Sequence, residues 1–312
     1  MAGVALLFYG ATVSHHLLLP DAAILLDAMR QPEISSNVCA HNLTHLLGWL
    51  FQQLPLANIA LKGNLASVCC GAAVIGLFHA LLRALGLPRP VAVLGALVLM
   101  VSHSLWWHST IVENYALSNA FLVACLLLAV RAAETPRRWY GMCFLAGLAI
   151  FNHIQNGALA LGLAAFYLAA APRWPGHRWP RLWRGFALYL LGAAPWFAVL
   201  AHDLLRSDDL PNTLHWAVGG GFTTIMFQYD WARALTRLAD WIFQQFPSPF
   251  LLFIPLGLIL IVRSFRRWGE ASGRAVTAPP EASPCQLRPF AAFMLGVMVT
   301  NCLLYTSPSP RD

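Results

Sequence analysis

The sequence predicts an all-α protein, a polytopic transmembrane bundle of about nine helices. Three observations carry that expectation. Hydrophobic residues make up 58% of the chain and charged residues only 11%, whereas a soluble domain carries roughly 25% charged residues to build its wetted surface. The apolar residues fall into blocks, and a helical block of about 20 residues crosses the hydrocarbon core. The basic residues sit between blocks and alternate between rich and poor connections, which is how membrane orientation is written. Helix is the secondary structure open to such blocks, because an isolated strand leaves its backbone groups unpaired in lipid.

Taken in order, the first block runs from Ala2 to Leu19 and is interrupted late by Ser14, His15 and His16. It lacks the basic start and small-residue cleavage site of a signal peptide. Gly63 to Leu82, Val91 to Trp107 and Ala116 to Val130 follow as spans two to four. Tyr140 to Phe151 is short, and a polar knot, Asn152-His153-Ile154-Gln155-Asn156, separates it from Gly157 to Ala171. Broken helices with polar tips at membrane depth line water-filled sites. Phe186 to Ala201, Pro249 to Val262 and Pro289 to Tyr305 complete the set.

Fourteen of the 20 basic residues fall in one set of alternate connections, including Arg131, Arg137, Arg138, Arg178, Arg181 and Arg184. That side is cytoplasmic. Counting Tyr140–Phe151 and Gly157–Ala171 as two crossings preserves the alternation. The outer side then holds two large loops, residues 15–62 and 202–248, and most of the acids. Residues 1–301 form one membrane domain. The tail, Cys302 to Asp312, reads CLLYTSPSPRD and looks like a translated sequencing adapter, so the last span is expected to be cut short; whether the uncharged N-terminus is the native start stays open.

Composition also excludes functions. The net charge of +7 is spread between spans rather than along one face, so no nucleic-acid partner is expected. The seven cysteines make no CxxC pair or zinc spacing, and no metal site is expected. No phosphate-binding loop, dinucleotide fingerprint, HExxH or GxSxG sequence occurs.

Four groups remain that could carry chemistry. Pro20-Asp21 stands where the first block leaves the bilayer, ahead of Asn37, His41, Asn42 and His45. A carboxylate there suits a general base facing a low-dielectric cavity, and equally a solvated acid ending a helix. Asp27 and Glu33 read as solvated loop acids. Glu113 lies between two apolar spans with Asn114, Tyr115, Ser118 and Asn119 nearby, and an acid near membrane depth is a functional candidate; the tandem Trp106 and Trp107 before it read as an interfacial anchor. Asn152 and His153 head the polar knot. Arg206, beside His202 and Asp203, suits either a phosphate clamp or a snorkelling side chain.

The segments HNLTHLLGWLFQQLP, ALKGNLASVCCGAAV, ENYALSNAFL, GLAIFNHIQN and DLLRS occur in this order between His41 and Ser207. Together with Asp21 they make the chain resemble the GT-C superfamily of polytopic glycosyltransferases, in the bacterial branch similar to protein O-mannosyltransferases. Two features depart from that pattern: Ile24 stands where the family often has a Glu, and SSNVCAHN replaces a Pro-rich stretch. The resemblance implies transfer of a sugar, with inversion, from a polyprenyl-phosphate donor to an acceptor hydroxyl on a protein or glycan. The site would face the periplasm or exterior of a bacterial inner membrane, with no cofactor beyond the lipid-linked donor and a divalent-metal requirement left open. It implies Asp21 as base and Glu113 as an orienting acid. Arg206 would be the cation on the leaving phosphate, assisted by His153, with His41 and Asn152 binding substrate. A transporter or flippase suits the broken helices as well, but the internal repeat it predicts is not visible. A scaffold in a cell-envelope complex is the non-enzymatic alternative.

Overall fold

The computed structural model describes residues 1–18, 20–35, 40–132, 135–174 and 176–217. The spans expected at residues 249–262 and 289–305, the loop beyond residue 217 and the tail lie outside the described residues. Within them the chain is helical and no strand occurs. The order is α1 (Ala2–Ala11), α2 (Pro20–Ala28), α3 (Asn42–Gln52), α4 (Ile59–Ala84), α5 (Arg89–Met100), α6 (His103–Thr110) and α7 (Tyr115–Ala132). After α8 (Arg138–Asn152) comes a 3-10 turn (Ile154–Gly157), then α9 (Ala158–Ala170), a second turn (Ala171–Arg173), α10 (Arg178–Arg206) and α11 (Leu210–Ala217).

Three of these helices, α4, α7 and α10, are long and apolar enough to cross a membrane by length and composition, and the α5–α6 pair passes the same test as a span bent by 64°. The span expected from Ala2 to Leu19 is shorter: α1 ends at Ala11, where the Thr12 hydroxyl donates back to the Phe8 carbonyl at 3.0 Å. Asp21 therefore stands in the first turn of a separate helix, α2, rather than at the end of the first span. Pro20 starts that helix, a position where its missing N–H costs nothing.

The α4 boundaries are chemically explicit. Asn58 caps its N-terminus by accepting from the Leu61 N–H at 3.1 Å. At the other end Gly86 takes φ +83°, the Gly86 N–H reaches the Arg83 carbonyl and the Leu87 N–H reaches that of Leu82. That pair of bonds is a Schellman stop, which needs a left-handed residue after the helix. The α5–α6 break frees carbonyls at apolar depth. The buried Tyr9 hydroxyl donates to the Met100 oxygen at 3.0 Å, and Ser102 Oγ donates to Leu99 at 2.7 Å, which meets the requirement that polar groups be satisfied internally.

α4 sits centrally, against α1, α3, α5, α6 and α7. A second unit joins α8 to α10 with their backbones in close approach: a Cβ on Gly147 would collide with the Tyr189 carbonyl, and one on Gly192 with the Phe144 carbonyl. Small residues let membrane helices approach this closely. The seam runs parallel, with Gly185 against Trp139, Gly147 against Tyr189 and Ala193, and Val199 against Phe151. α9 runs back antiparallel to α8, since Phe166 near its end stacks on Trp139 at the start of α8, centroids 6.0 Å apart. The short pieces before and after the polar knot are thus two helices of opposite direction.

Candidate functional site

Because the helices alternate in direction, one end of the bundle collects the end of α6 and the starts of α4 and α7, the end of α8, the start of α9 and the connections from α1 and to α3. Hydrogen bonds tie these pieces together. The Ser14 N–H donates to the Thr110 carbonyl at 3.0 Å, and the Ser14 carbonyl accepts from Asn64 Nδ2 at 2.6 Å. The Glu113 N–H donates to Ser67 Oγ at 3.4 Å. Glu113 is buried there between the starts of α4 and α7.

Asn152 is the hub. It is 0% exposed, and its amide oxygen accepts from Thr44 Oγ1 at 2.6 Å. Its amide nitrogen donates to the Asn114 carbonyl at 3.2 Å and to Ser118 Oγ at 2.9 Å. One side chain therefore joins α3, α7 and α8. Asn156 adds a second tie, donating to Ser118 Oγ at 3.2 Å and to the Ala149 carbonyl at 2.8 Å. The Ala149 carbonyl accepts both the His153 N–H at 3.1 Å and the Asn156 amide, so a side chain enters the backbone ladder where α8 stops.

His41, at the N-cap of α3, donates from Nδ1 to the Asn152 carbonyl at 3.1 Å. Its ring stacks on that of His153, with centroids 4.8 Å apart and an interplanar angle of 24°. His45 lies 6.5 Å from His41, Tyr115 lies 6.0 Å from His153, and His108 lies 4.8 Å from Tyr115. Burial disfavours the charged imidazole in each of the three histidines near α3. It pushes His153 down to about 3 and His45 to about 4, each reinforced by His41. His41 is also lowered by burial, against opposing contributions from its bond to Asn152 and from the Asp21 carboxylate. The group is therefore neutral at pH 7, and Asp21 is near enough to act on it.

The structure thus brings together Asp21, His41, Asn152 and His153, with Glu113 joined through the Asn114 backbone. It does not bring in Arg206, which lies exposed in the last turn of α10 with no hydrogen bond or ion pair to the cluster among the described residues. Residues that sequence reasoning did not assign are Thr44, Asn64 and Ser67. Thr44 lies three residues after His41, on the same helical face; Asn64 and Ser67 repeat that spacing on α4. Among the described residues no group of three or more His, Cys, Asp or Glu could hold a metal ion.

Residues 41–174 match the family model described as "Protein O-mannosyl-transferase TMEM260 N-terminal domain". The matched segment is less than half of the chain. It begins at the N-cap of α3 and contains every residue of the cluster except Asp21 and the α1 connection. No curated protein and no solved structure matches the chain. The match supports a protein O-mannosyltransferase-like assignment.

Proposed function

We propose, from that match over residues 41–174, that the chain is the membrane domain of a glycosyltransferase. In this reading it carries a sugar, mannose by the family's description, from a polyprenyl-phosphate donor to an acceptor hydroxyl. The observation that carries the reading is the coincidence of the matched segment with the polar cluster at one end of an apolar bundle. The reading includes a GT-C architecture of about nine spans. It puts the cluster at the outer face of a bacterial inner membrane, since the basic connections, including Arg178, Arg181 and Arg184, lie at the opposite end.

In the reaction, the acceptor oxygen forms a bond to the sugar's anomeric carbon as the bond from that carbon to phosphate oxygen breaks. Polyprenyl phosphate leaves, and the acceptor proton passes to a carboxylate. Asp21 takes that proton, because it stands beside the cluster with access to the surface. Glu113 orients the polar groups around it. Arg206 meets the leaving phosphate from the exposed last turn of α10, beyond the level at which Val199 packs on Phe151. A dry cavity strengthens each of these interactions relative to water.

The test uses the full chain in membranes with radiolabelled polyprenyl-phosphate mannose. Asp21→Asn is expected to lower transfer by roughly 10²–10⁴-fold, the usual contribution of a positioned base. Full transfer by Asp21→Asn removes the base assignment. No transfer from any polyprenyl-phosphate sugar by folded wild type removes the enzyme and leaves a transporter as the reading.

A further inference from the structure

His41 and His153 come from distant parts of the chain, and their ring nitrogens are sorted in opposite senses. A carbonyl oxygen only accepts, so the bond from His41 Nδ1 to Asn152 at 3.1 Å puts the ring hydrogen on Nδ1 and leaves Nε2 as a bare acceptor. His153 Nδ1 accepts from the Gln155 N–H at 3.1 Å, so its hydrogen sits on Nε2, a donor. Neither Nε2 has a hydrogen-bond partner among the described residues. Stacking with centroids 4.8 Å apart holds a ring that offers an acceptor against one that offers a donor, without net charge.

A second observation stands next to this pair. His45 Nδ1 and Asn114 Oδ1 are buried and have no hydrogen-bond partner, in side chains 6% and 4% exposed. His45 adjoins His41, and the Asn114 backbone is bonded to Asn152. Unmet polar atoms gathered in one place cost free energy unless water or a ligand meets them. These two atoms add polar capacity beside the pair.

We propose that the His41–His153 pair recognises two neighbouring hydroxyls of the sugar, one donating to His41 Nε2 and the other accepting from His153 Nε2. The inference rests on the glycosyltransferase reading and names the part of the donor that this site takes. Phosphate does not suit the pair: its oxygens only accept, the pair offers a single donor, and the Asp21 carboxylate opposes an anion beside His41. A sugar diol both donates and accepts. His153 therefore serves the sugar and not the leaving phosphate, which differs from the role the family resemblance implied.

The experiment uses His41→Asn and His153→Asn in the full chain in lipid nanodiscs. An Asn amide reaches the Nδ1 position, so it keeps the bond to Asn152 or to the Gln155 N–H, but it ends short of Nε2. Binding and transfer are measured with polyprenyl-phosphate mannose, its monodeoxy analogues and polyprenyl phosphate alone. Wild type is expected to prefer the parent sugar over one or two deoxy analogues by about tenfold or more. Each Asn variant is expected to lose that preference while binding bare polyprenyl phosphate as wild type does. Equal losses on parent and analogues, or discrimination retained in both variants, overturn the hydroxyl site. Sugar discrimination in binding with no transfer keeps the site and removes the enzyme. Absence of any difference between mannosylated and bare lipid in wild type overturns the site whatever the transfer result.

Discussion

Asn152→Ala is the substitution whose cost can be worked most directly. It deletes an amide that is 0% exposed and leaves the Thr44 hydroxyl without the partner it has at 2.6 Å, while the Asn114 carbonyl loses the bond at 3.2 Å but keeps the one from the Ser118 N–H at 3.1 Å. Ser118 keeps its bond from Asn156. One unmet buried group costs about 2 kcal/mol and each of the two bonds lost from groups that keep another partner about 1 kcal/mol, about 4 kcal/mol together. Thr44→Val leaves only the Asn152 amide oxygen unmet, about 1.5 kcal/mol. In the double variant the shared bond is absent from both sides, so the losses fall short of their sum by about 1 kcal/mol. Thermal unfolding in detergent micelles, at roughly 2 °C per kcal/mol for a chain of this size, would read as drops of about 8, 3 and 9 °C. A drop below about 2 °C for Asn152→Ala, or strictly additive losses, refutes the hub.

The seam between α8 and α10 predicts that Gly147→Val lowers the yield of folded protein and costs upwards of about 3 kcal/mol, because the obstacle is the Tyr189 carbonyl and cannot turn aside. Gly141→Ala on the same helix meets only Leu128 at 3.9 Å and should be neutral or slightly stabilising in the same assay. Tyr9→Phe strips the Met100 carbonyl of its partner at the α5–α6 break and should lower the melting temperature by an amount matching about 1–3 kcal/mol. For pH, the folded values of His41, His45 and His153 lie below the unfolded 6.5. The unfolded chain therefore binds more protons as pH falls below about 6.5. Stability from these groups is whole above that pH and drains as pH falls towards about 3; a melting temperature flat from pH 7 to 4 would count against their burial.

Much of the bundle could be read from residue order, and the exceptions have physical causes. α4, α7 and α10 follow from uninterrupted apolar runs. The early end of α1 does not, because Val13 and Leu17 to Leu19 continue the apolar pattern while Thr12 turns its hydroxyl inward and Ser14 is claimed by Thr110. Nothing local marks the α5–α6 break except Ser102. At the site, Asp21, Glu113 and the polar knot stand out as polar residues at the ends of apolar runs. The alternation of arginines implied that they share one side. The stacking of His41 on His153 was not legible, since the contact joins residues either side of a separation of 111 positions to Asn152 and depends on the register of three helices. Thr44 and Ser67 look like ordinary small polar residues until their partners are known.

α10 has a consequence of scale. Its 29 residues extend roughly 43 Å, against a hydrocarbon core of about 30 Å. Laid across a bilayer, such a helix would work as a ruler. One end carries Trp179 and Trp183, exposed 70% and 63% among arginines, the residue types that anchor a helix at headgroup level, and the other carries Arg206. The glycine contacts hold α8, and with it Asn152, at a set mark along this ruler. Slipping the pair by one turn would shift that mark by about 5.4 Å. A helix that overshoots its membrane responds by tilting. Bilayer thickness thereby becomes a mechanical input to the height of Arg206 above the lipid surface, while the distance from Arg206 to the histidines stays with the seam.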